Sequence, residues 1–204
     1  MHDYAVFGHS RATVGRYLGS LSVILTGLIS SVILWLHQVE GLSFMSVATV
    51  STAAIYFALH WVFNNYVWKK VPLLKIPDLN GVWSVRGETL SEDDGVIKYN
   101  WEAEIDIEQT WEKISINLKT KQSSSESYTA TLAKKSGTRG GWVLHYSYSN
   151  SPDASQFHEL NSHRGYCEVI FDKDLTSGEA AYFNSNGRRT FGKMYLTRGE
   201  NDQL

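Results

Sequence analysis

The chain has 204 residues, 43% of them hydrophobic and 20% charged, with 19 Lys and Arg against 21 Asp and Glu. Its single cysteine, Cys167, excludes a disulfide framework and a Cys-based zinc cluster. Residues 72–204 carry 15 basic and 19 acidic groups, which excludes a basic platform that holds polymeric nucleic acid by counterion release.

The first elements in chain order are two uncharged runs, 23 residues over 17–39 and 28 residues over 41–68. Either exceeds the ~18–20 residues that cross a hydrocarbon core of ~30 Å at 1.5 Å per residue, so residues 1–71 read as a two-helix transmembrane hairpin with spans at about 17–39 and 42–66. A cleaved signal peptide does not fit, because the first run is too long and a second span follows at once. A pair of buried core helices is the soluble alternative. Arg11 and Arg16 precede the first span, Lys69, Lys70 and Lys75 follow the second, and the connector Gln38-Val39-Glu40-Gly41 has no base. The positive-inside bias therefore places both termini and the downstream domain in the cytoplasm, in a multi-pass arrangement. Tyr17, Trp35, Trp61, Tyr66 and Trp68 fall near the expected interfaces, where amphipathic rings prefer to be. Gly15, Gly19, Ser22, Thr26 and Ser30 form a small-residue stripe on the first span. Such a stripe lets helix backbones approach closely, against the second span or in an oligomer of several copies.

Pro72 and Pro77 stop the second helix and mark 72–77 as a linker. From Asp78 the apolar period changes to two: Trp101, Ala103, Ile105 and Ile107 alternate with Glu102, Glu104, Asp106 and Glu108. Similar alternation predicts eight strands, at 82–90, 96–109, 111–120, 126–134, 141–149, 163–171, 178–184 and 189–198. Eight sequential short strands without helical pattern between them predict an all-β soluble domain at 78–204, an eight-stranded up-and-down antiparallel β-barrel, with a sandwich as the alternative. A barrel of that size holds packed side chains or one small ligand.

Strict alternation of strand direction puts the turns at 91–95, 121–125, 150–162 and 185–187 at the end away from the linker, with 150–162 long enough to act as a lid. Inward parity carried to that rim selects Thr120, Tyr128, Tyr146, Tyr148, His163, Tyr182, Asn184 and Arg188 as candidate ligand-binding residues. Aromatic faces stack nucleobases and an arginine grips phosphate with two parallel hydrogen bonds, so the set suits a nucleotide. Barrel-end packing is the plain structural reading of the same tyrosines. The Ser-rich run Ser123-Ser124-Ser125-Glu126-Ser127 reads as a solvated turn or as hydroxyls at the cavity mouth. Cys167 occupies an inward position and reads as a small buried apolar group. Phosphate-loop, dinucleotide-fold, zinc-protease and nucleophile-elbow patterns are absent. His158 and His163 without nearby carboxylates make no metal site, so no enzyme, cofactor or metal is expected.

A hairpin, a Pro-rich linker and a small barrel in this order resemble a bacterial family, the two-transmembrane, β-strand-rich membrane effectors of the CBASS cyclic-oligonucleotide anti-phage systems. The pieces that carry the resemblance are Pro77-Asp78-Leu79-Asn80-Gly81-Val82-Trp83, Ile107-Glu108-Gln109-Thr110-Trp111, the Ser-rich stretch after Thr120, and Leu144-His145-Tyr146-Ser147-Tyr148 running to Pro152. His163-Arg164-Gly165, Tyr182-Phe183 and Gly187-Arg188 complete the series. The resemblance spans essentially the whole chain. It implies an inner-membrane effector whose barrel binds a cyclic dinucleotide made by a partner nucleotidyltransferase. Binding would drive oligomerisation and disruption of the lipid bilayer, killing the infected cell. The residues by themselves leave two rivals open: a tethered, lipocalin-like carrier of an apolar molecule, and a filled barrel that only anchors protein.

Overall fold

The computed structural model describes residues 1–8, 10–38, 51–72, 74, 76–135, 141–156, 161–185 and 189–199. They form two compact units, Met1–Gly8 with Lys75–Leu204, and His9–Leu74.

In the helical unit, Ser10 caps α1 (Arg11–His37) by accepting a hydrogen bond from the Thr13 amide at 3.3 Å. Removing one orphan donor at a helix start is worth about 1 kcal/mol. Val23, Ile24, Leu28, Val32 and Leu34 of α1 are all more than half exposed, an arrangement that suits lipid rather than water. Among the described residues one helix, Arg11–Leu36, is long and apolar enough to cross a membrane. The second helix is α2 (Thr52–Val62), continued by a π-helical stretch Phe63–Val67 and a 3-10 turn Trp68–Lys70. The first part of the expected second span lies outside the described residues, as does the end of the connector. On the small-residue stripe, a Cβ added at Gly15 would stand 3.8 Å from the Tyr56 hydroxyl of α2, whereas Gly19 meets nothing within 4 Å. Ser22 donates to the Gly19 carbonyl at 2.7 Å and Thr26 to the Ser22 carbonyl at 2.8 Å, so both hydroxyls are satisfied within the helix.

Among the described residues the barrel unit contains nine strands: β1 (His2–Val6), β2 (Gly81–Leu90), β3 (Ile97–Gln109), β4 (Lys113–Lys119), β5 (Ser123–Lys134), β6 (Trp142–Pro152), β7 (His163–Phe171), β8 (Ser177–Ser185) and β9 (Phe191–Arg198). Strands β2 to β9 pair antiparallel in sequence order, and β9 returns to β2, so the sheet closes on itself. The ninth strand corrects the expected count of eight. The sequence groups residues 1–8 with the hairpin, yet β1 lies in the barrel wall, antiparallel to β4 and parallel to β5, with Tyr4 opposite Ala130. It fills a seam, because β4 and β5 pair directly only where Asn117, Leu118 and Lys119 face Glu126, Ser125 and Ser124.

The linker end of the barrel is packed solid. Trp83 and Phe171, both at most 1% exposed, meet with ring centroids 5.0 Å apart. Ile105, Ile107, Ile114, Leu132, Leu144 and Leu196 surround them, fully buried. Tyr4 closes this end: its hydroxyl donates to the Thr110 carbonyl at 3.2 Å and accepts from Gln109 Nε2 at 3.0 Å. The Gln109 Oε1 accepts the Leu79 amide at 2.8 Å, so a buried amide is satisfied on both sides. Arg198 stacks over Trp83 at 5.3 Å and donates to the carbonyls of Asp78 and Asn80, which fastens the entering chain to the last strand.

Two further expectations change. β5 begins at Ser123, so the Ser-rich run is strand rather than turn, with Ser125 and Ser127 buried. β6 continues to Pro152 and a short turn covers Ala154–Gln156, which shortens the expected 150–162 loop; 157–160 lie outside the described residues.

Candidate functional site

Away from the linker the barrel interior is not filled. Three cross-strand pairs explain why: Gly87 opposite Trp101, Gly165 opposite Tyr148, and Gly192 opposite Tyr182. A Cβ at Gly87 would fall inside the Trp101 indole, one at Gly165 inside the Tyr148 ring, and one at Gly192 would stand 2.9 Å from the Tyr182 ring and hydroxyl. Each glycine therefore lets a large ring lie against the barrel wall rather than across the lumen. What remains is a cavity of about 150 Å³. Met194 and Leu118 are its apolar members, and Thr89, Tyr99, Trp101, Ser123, Ser125, Asn150 and Thr190 line it with the residues located below.

Six of the eight residues selected by parity line this one cavity: Thr120, Tyr146, Tyr148, His163, Tyr182 and Asn184. Tyr128 does not. It is 48% exposed, because β5 bulges there: Ser127 pairs with Tyr148 and Thr129 with Ser147, leaving Tyr128 as the extra residue. Parity extended from Ala130 and Leu132 is therefore inverted at this point. Ser127 takes the inward place, and its hydroxyl accepts the Ile116 amide at 3.0 Å. Arg188 lies outside the described residues. Thr89 on β2, Trp101 on β3 and Asn150 on β6 also line the cavity, beyond the set that inward parity at the rim selects.

Hydrogen bonds fix the polar groups in place. Tyr148 donates to Asn184 Oδ1 at 2.6 Å and Asn184 Nδ2 donates to Thr190 Oγ1 at 2.7 Å, which sets the amide orientation. Trp101 Nε1 donates to Thr89 Oγ1 at 3.2 Å, and that hydroxyl shares a 2.7 Å hydrogen bond with Tyr182. Asn150 Nδ2 donates to Ser123 Oγ at 3.1 Å, while Thr120 Oγ1 accepts the Ser123 and Gln122 amides and closes the β4–β5 turn. His163 Nδ1 is 3.1 Å from the Asn161 carbonyl, so this nitrogen carries the proton. Aromatic faces come from Trp101 and Tyr182 in an edge contact at 5.8 Å, and from Tyr146 and Tyr148 at 5.9 Å. The described lining residues include no Asp, Glu, Lys or Arg. Such a surface stacks flat rings and reads their edges by hydrogen bonds.

Burial sets the chemistry beneath the cavity. Desolvation pushes the Tyr146 phenol well above its ordinary range and the Cys167 thiol, its cross-strand partner, up to about 12. Because the thiolate is the reactive form, Cys167 is expected to resist a thiol reagent at pH 8 in the folded protein. It should react within minutes once denaturant is added, which a colorimetric thiol assay reads directly. No group of three or more His, Cys, Asp or Glu among the described residues could hold a metal ion.

A closed β-barrel with one end packed and the other hollowed by aromatic and amide side chains, on a chain with a helix of membrane-spanning length, has the form of a small-ligand container. Residues 74–198 match the family model described as Cap15, cyclic dinucleotide receptor domain, and residues 12–69 that described as Cap15, TM helices. Over 210 residues the chain is 39% identical to CD-NTase-associated protein 15 of Yersinia aleksiciae, with 98% of each chain covered. The chain belongs to the Cap15 family of CBASS-associated proteins, with a transmembrane-helix part and a cyclic dinucleotide receptor domain.

Proposed function

We propose that this protein is a membrane-anchored effector that binds a cyclic dinucleotide in the distal barrel cavity. The observation that carries the reading is the cavity itself, four aromatic faces and fixed amide and hydroxyl groups within the residues that match the receptor domain. Trp101, Tyr146, Tyr148 and Tyr182 stack the bases, and Asn184, Asn150, Thr120 and His163 read their edges or the ribose hydroxyls. The cavity of about 150 Å³ receives the bases of such a ligand and opens to solvent at the rim. The phosphates then lie at the mouth, and Arg188, outside the described residues, is proposed as their anchor. Two spans, 17–39 and 42–66, hold the barrel at the cytoplasmic face of the inner membrane, a topology supported by the basic flanks Arg11, Arg16, Lys69 and Lys70. No step of this reading is catalytic.

Ligand binding drives oligomerisation in proportion to the preference of the bound barrel for self-association. Ligand at 100 times its dissociation constant supplies up to about 2.7 kcal/mol per site. Through the open side of the stripe at Gly19, association brings spans of several copies together and disrupts the bilayer, killing the infected cell. Calorimetric titration of the detergent-solubilised full chain with cyclic di-AMP, cyclic di-GMP and mixed-base cyclic dinucleotides tests the reading. At least one should bind, and Tyr148→Ala and Tyr182→Ala should each weaken it by about 5- to 150-fold, given ~1–3 kcal/mol per stacked base. Binding of none, or unchanged affinity in both variants, overturns it. A co-purifying lipid in the cavity would favour the apolar-carrier alternative.

A further inference from the structure

Four turns meet at the hollow end of the barrel, β2–β3, β4–β5, β6–β7 and β8–β9, each two strands from the next around the closed sheet. The β4–β5 and β8–β9 turns therefore stand on opposite sides of the cavity mouth, and they carry the same pair of chemical groups. In the first, Thr120 lines the cavity and is followed by Lys121; in the second, Thr190 lines it and is preceded by Arg189. Both cations are exposed. The other two turns carry carboxylates, Glu92, Asp93 and Asp94 in one and Asp153 in the other, all exposed.

Lys121 also stands at a notch in the wall. β3 begins at Ile97, but among the described residues β4 pairs with it only from Glu104, which faces Lys119. The upper half of β3 thus faces the β4–β5 turn without a strand between them. Trp101, Thr120 and Gln122 line the cavity on one side of this notch and, with Lys121 and Arg86, a groove on the other, so the cavity opens sideways into the groove. The other charges around the groove face opposite charges across the strands. Arg86 faces Glu102 and stacks over Tyr195 at 5.2 Å, Glu88 faces Lys193, and Glu104 faces Lys119. Lys121 lies past the last paired residue of β4, so among the described residues no cross-strand carboxylate faces it.

We propose that Lys121 holds one of the two phosphates of the cyclic dinucleotide at this notch, while the other phosphate lies across the mouth on the β8–β9 side. This rests on the reading of the barrel as a cyclic dinucleotide receptor and gives each phosphate its own cation. A cyclic dinucleotide carries its two phosphodiesters on opposite sides of its ring, and the described residues lining the cavity include no Lys or Arg. Each phosphate therefore meets its counter-charge at the lip, since an unpaired charge is costly to bury. The carboxylate turns, a quarter of the way round on either side, repel phosphate and so orient the ring between the two basic turns. An ammonium acts on phosphate as a point charge, so Lys121 sets affinity rather than the choice of base.

Calorimetric titration of the detergent-solubilised full chain with cyclic di-AMP, cyclic di-GMP and mixed-base cyclic dinucleotides tests the proposal. For a nucleotide that binds the parent chain, Lys121→Gln should weaken binding about fivefold, the upper end for a solvent-exposed ion pair. Lys121→Arg should stay within about twofold of the parent, and Lys121→Glu should lose more than Lys121→Gln. An analogue of the same nucleotide with one phosphodiester replaced by a neutral methylphosphonate separates a phosphate contact from a structural role. The parent should bind this analogue more weakly than the native nucleotide. The Lys121→Gln variant should bind the two alike, because the neutral linkage can occupy the side that has lost its cation. Unchanged affinity in Lys121→Gln, or an equal penalty for the analogue in parent and variant, overturns the assignment. Failure of the parent chain to bind any of these nucleotides counts instead against the receptor reading, so the two failures are distinguishable.

Discussion

Replacing Tyr4 with alanine is expected to destabilise the barrel by about 3–5 kcal/mol, the range for truncating a buried aromatic. The ring is 3% exposed, and its hydroxyl bridges Gln109 Nε2 and the Thr110 carbonyl, so the substitution opens a void and orphans a buried amide. Tyr4→Phe keeps the ring but still orphans the buried Gln109 amide, and should cost about 1–3 kcal/mol. Urea unfolding of the detergent-solubilised chain, followed by the β-sheet circular dichroism signal, measures both. An alanine variant as stable as the parent would show that β1 is not part of the folded barrel. The same contacts predict that a fragment beginning at Asp78 unfolds more readily than one to which residues 1–8 are supplied as a peptide.

Gly165→Ala is expected to cost about 1–3 kcal/mol of stability, as overpacking does, and to lower cyclic dinucleotide affinity by about tenfold or more. The added Cβ would overlap the Tyr148 ring and lie 2.6 Å from Asn184 Oδ1, so both must leave their places. The hydrogen bond between them, which fixes the Asn184 amide, is lost with the movement. Urea midpoints and calorimetric titration separate the two effects. Normal affinity in a folded Gly165→Ala variant would remove Tyr148 and Asn184 from the binding surface.

Most of the barrel was legible because alternation is a strong signal in a sheet with one wet face: Trp101 to Glu108 spell out β3 unaided, and the Leu144 to Tyr148 alternation does the same for β6. Tyr146, Tyr148 and Tyr182 followed from extending that parity to the rim. The method breaks where the chain carries an extra residue. Nothing in Ser127-Tyr128-Thr129 announces a bulge, and the partner that stabilises it, the Ile116 amide on Ser127, is known only once the register is known. β1 stayed hidden for a related reason. Five residues with one buried position, Tyr4, offer no period to read, and their partners are 105 residues away in Gln109. The glycine–aromatic pairs were equally invisible, since Gly87, Gly165 and Gly192 read singly as ordinary strand irregularities. Only pairing shows that each faces a ring.

The place of β1 ahead of the helices also orders events in biosynthesis. Tyr4 is made before either helix, whereas Gln109 follows 105 residues later, about 5–20 s at 5–20 residues per second. Through that interval the helices can enter the membrane while the seam between β4 and β5 does not yet exist. The first strand to be synthesised must therefore wait until β4 and β5 exist before it finds its slot, and β9, made last, closes the sheet onto β2 only after both helices have been made. A nascent chain in that interval has neither a sealed barrel nor a complete cavity, so it cannot respond to ligand while it is still being made.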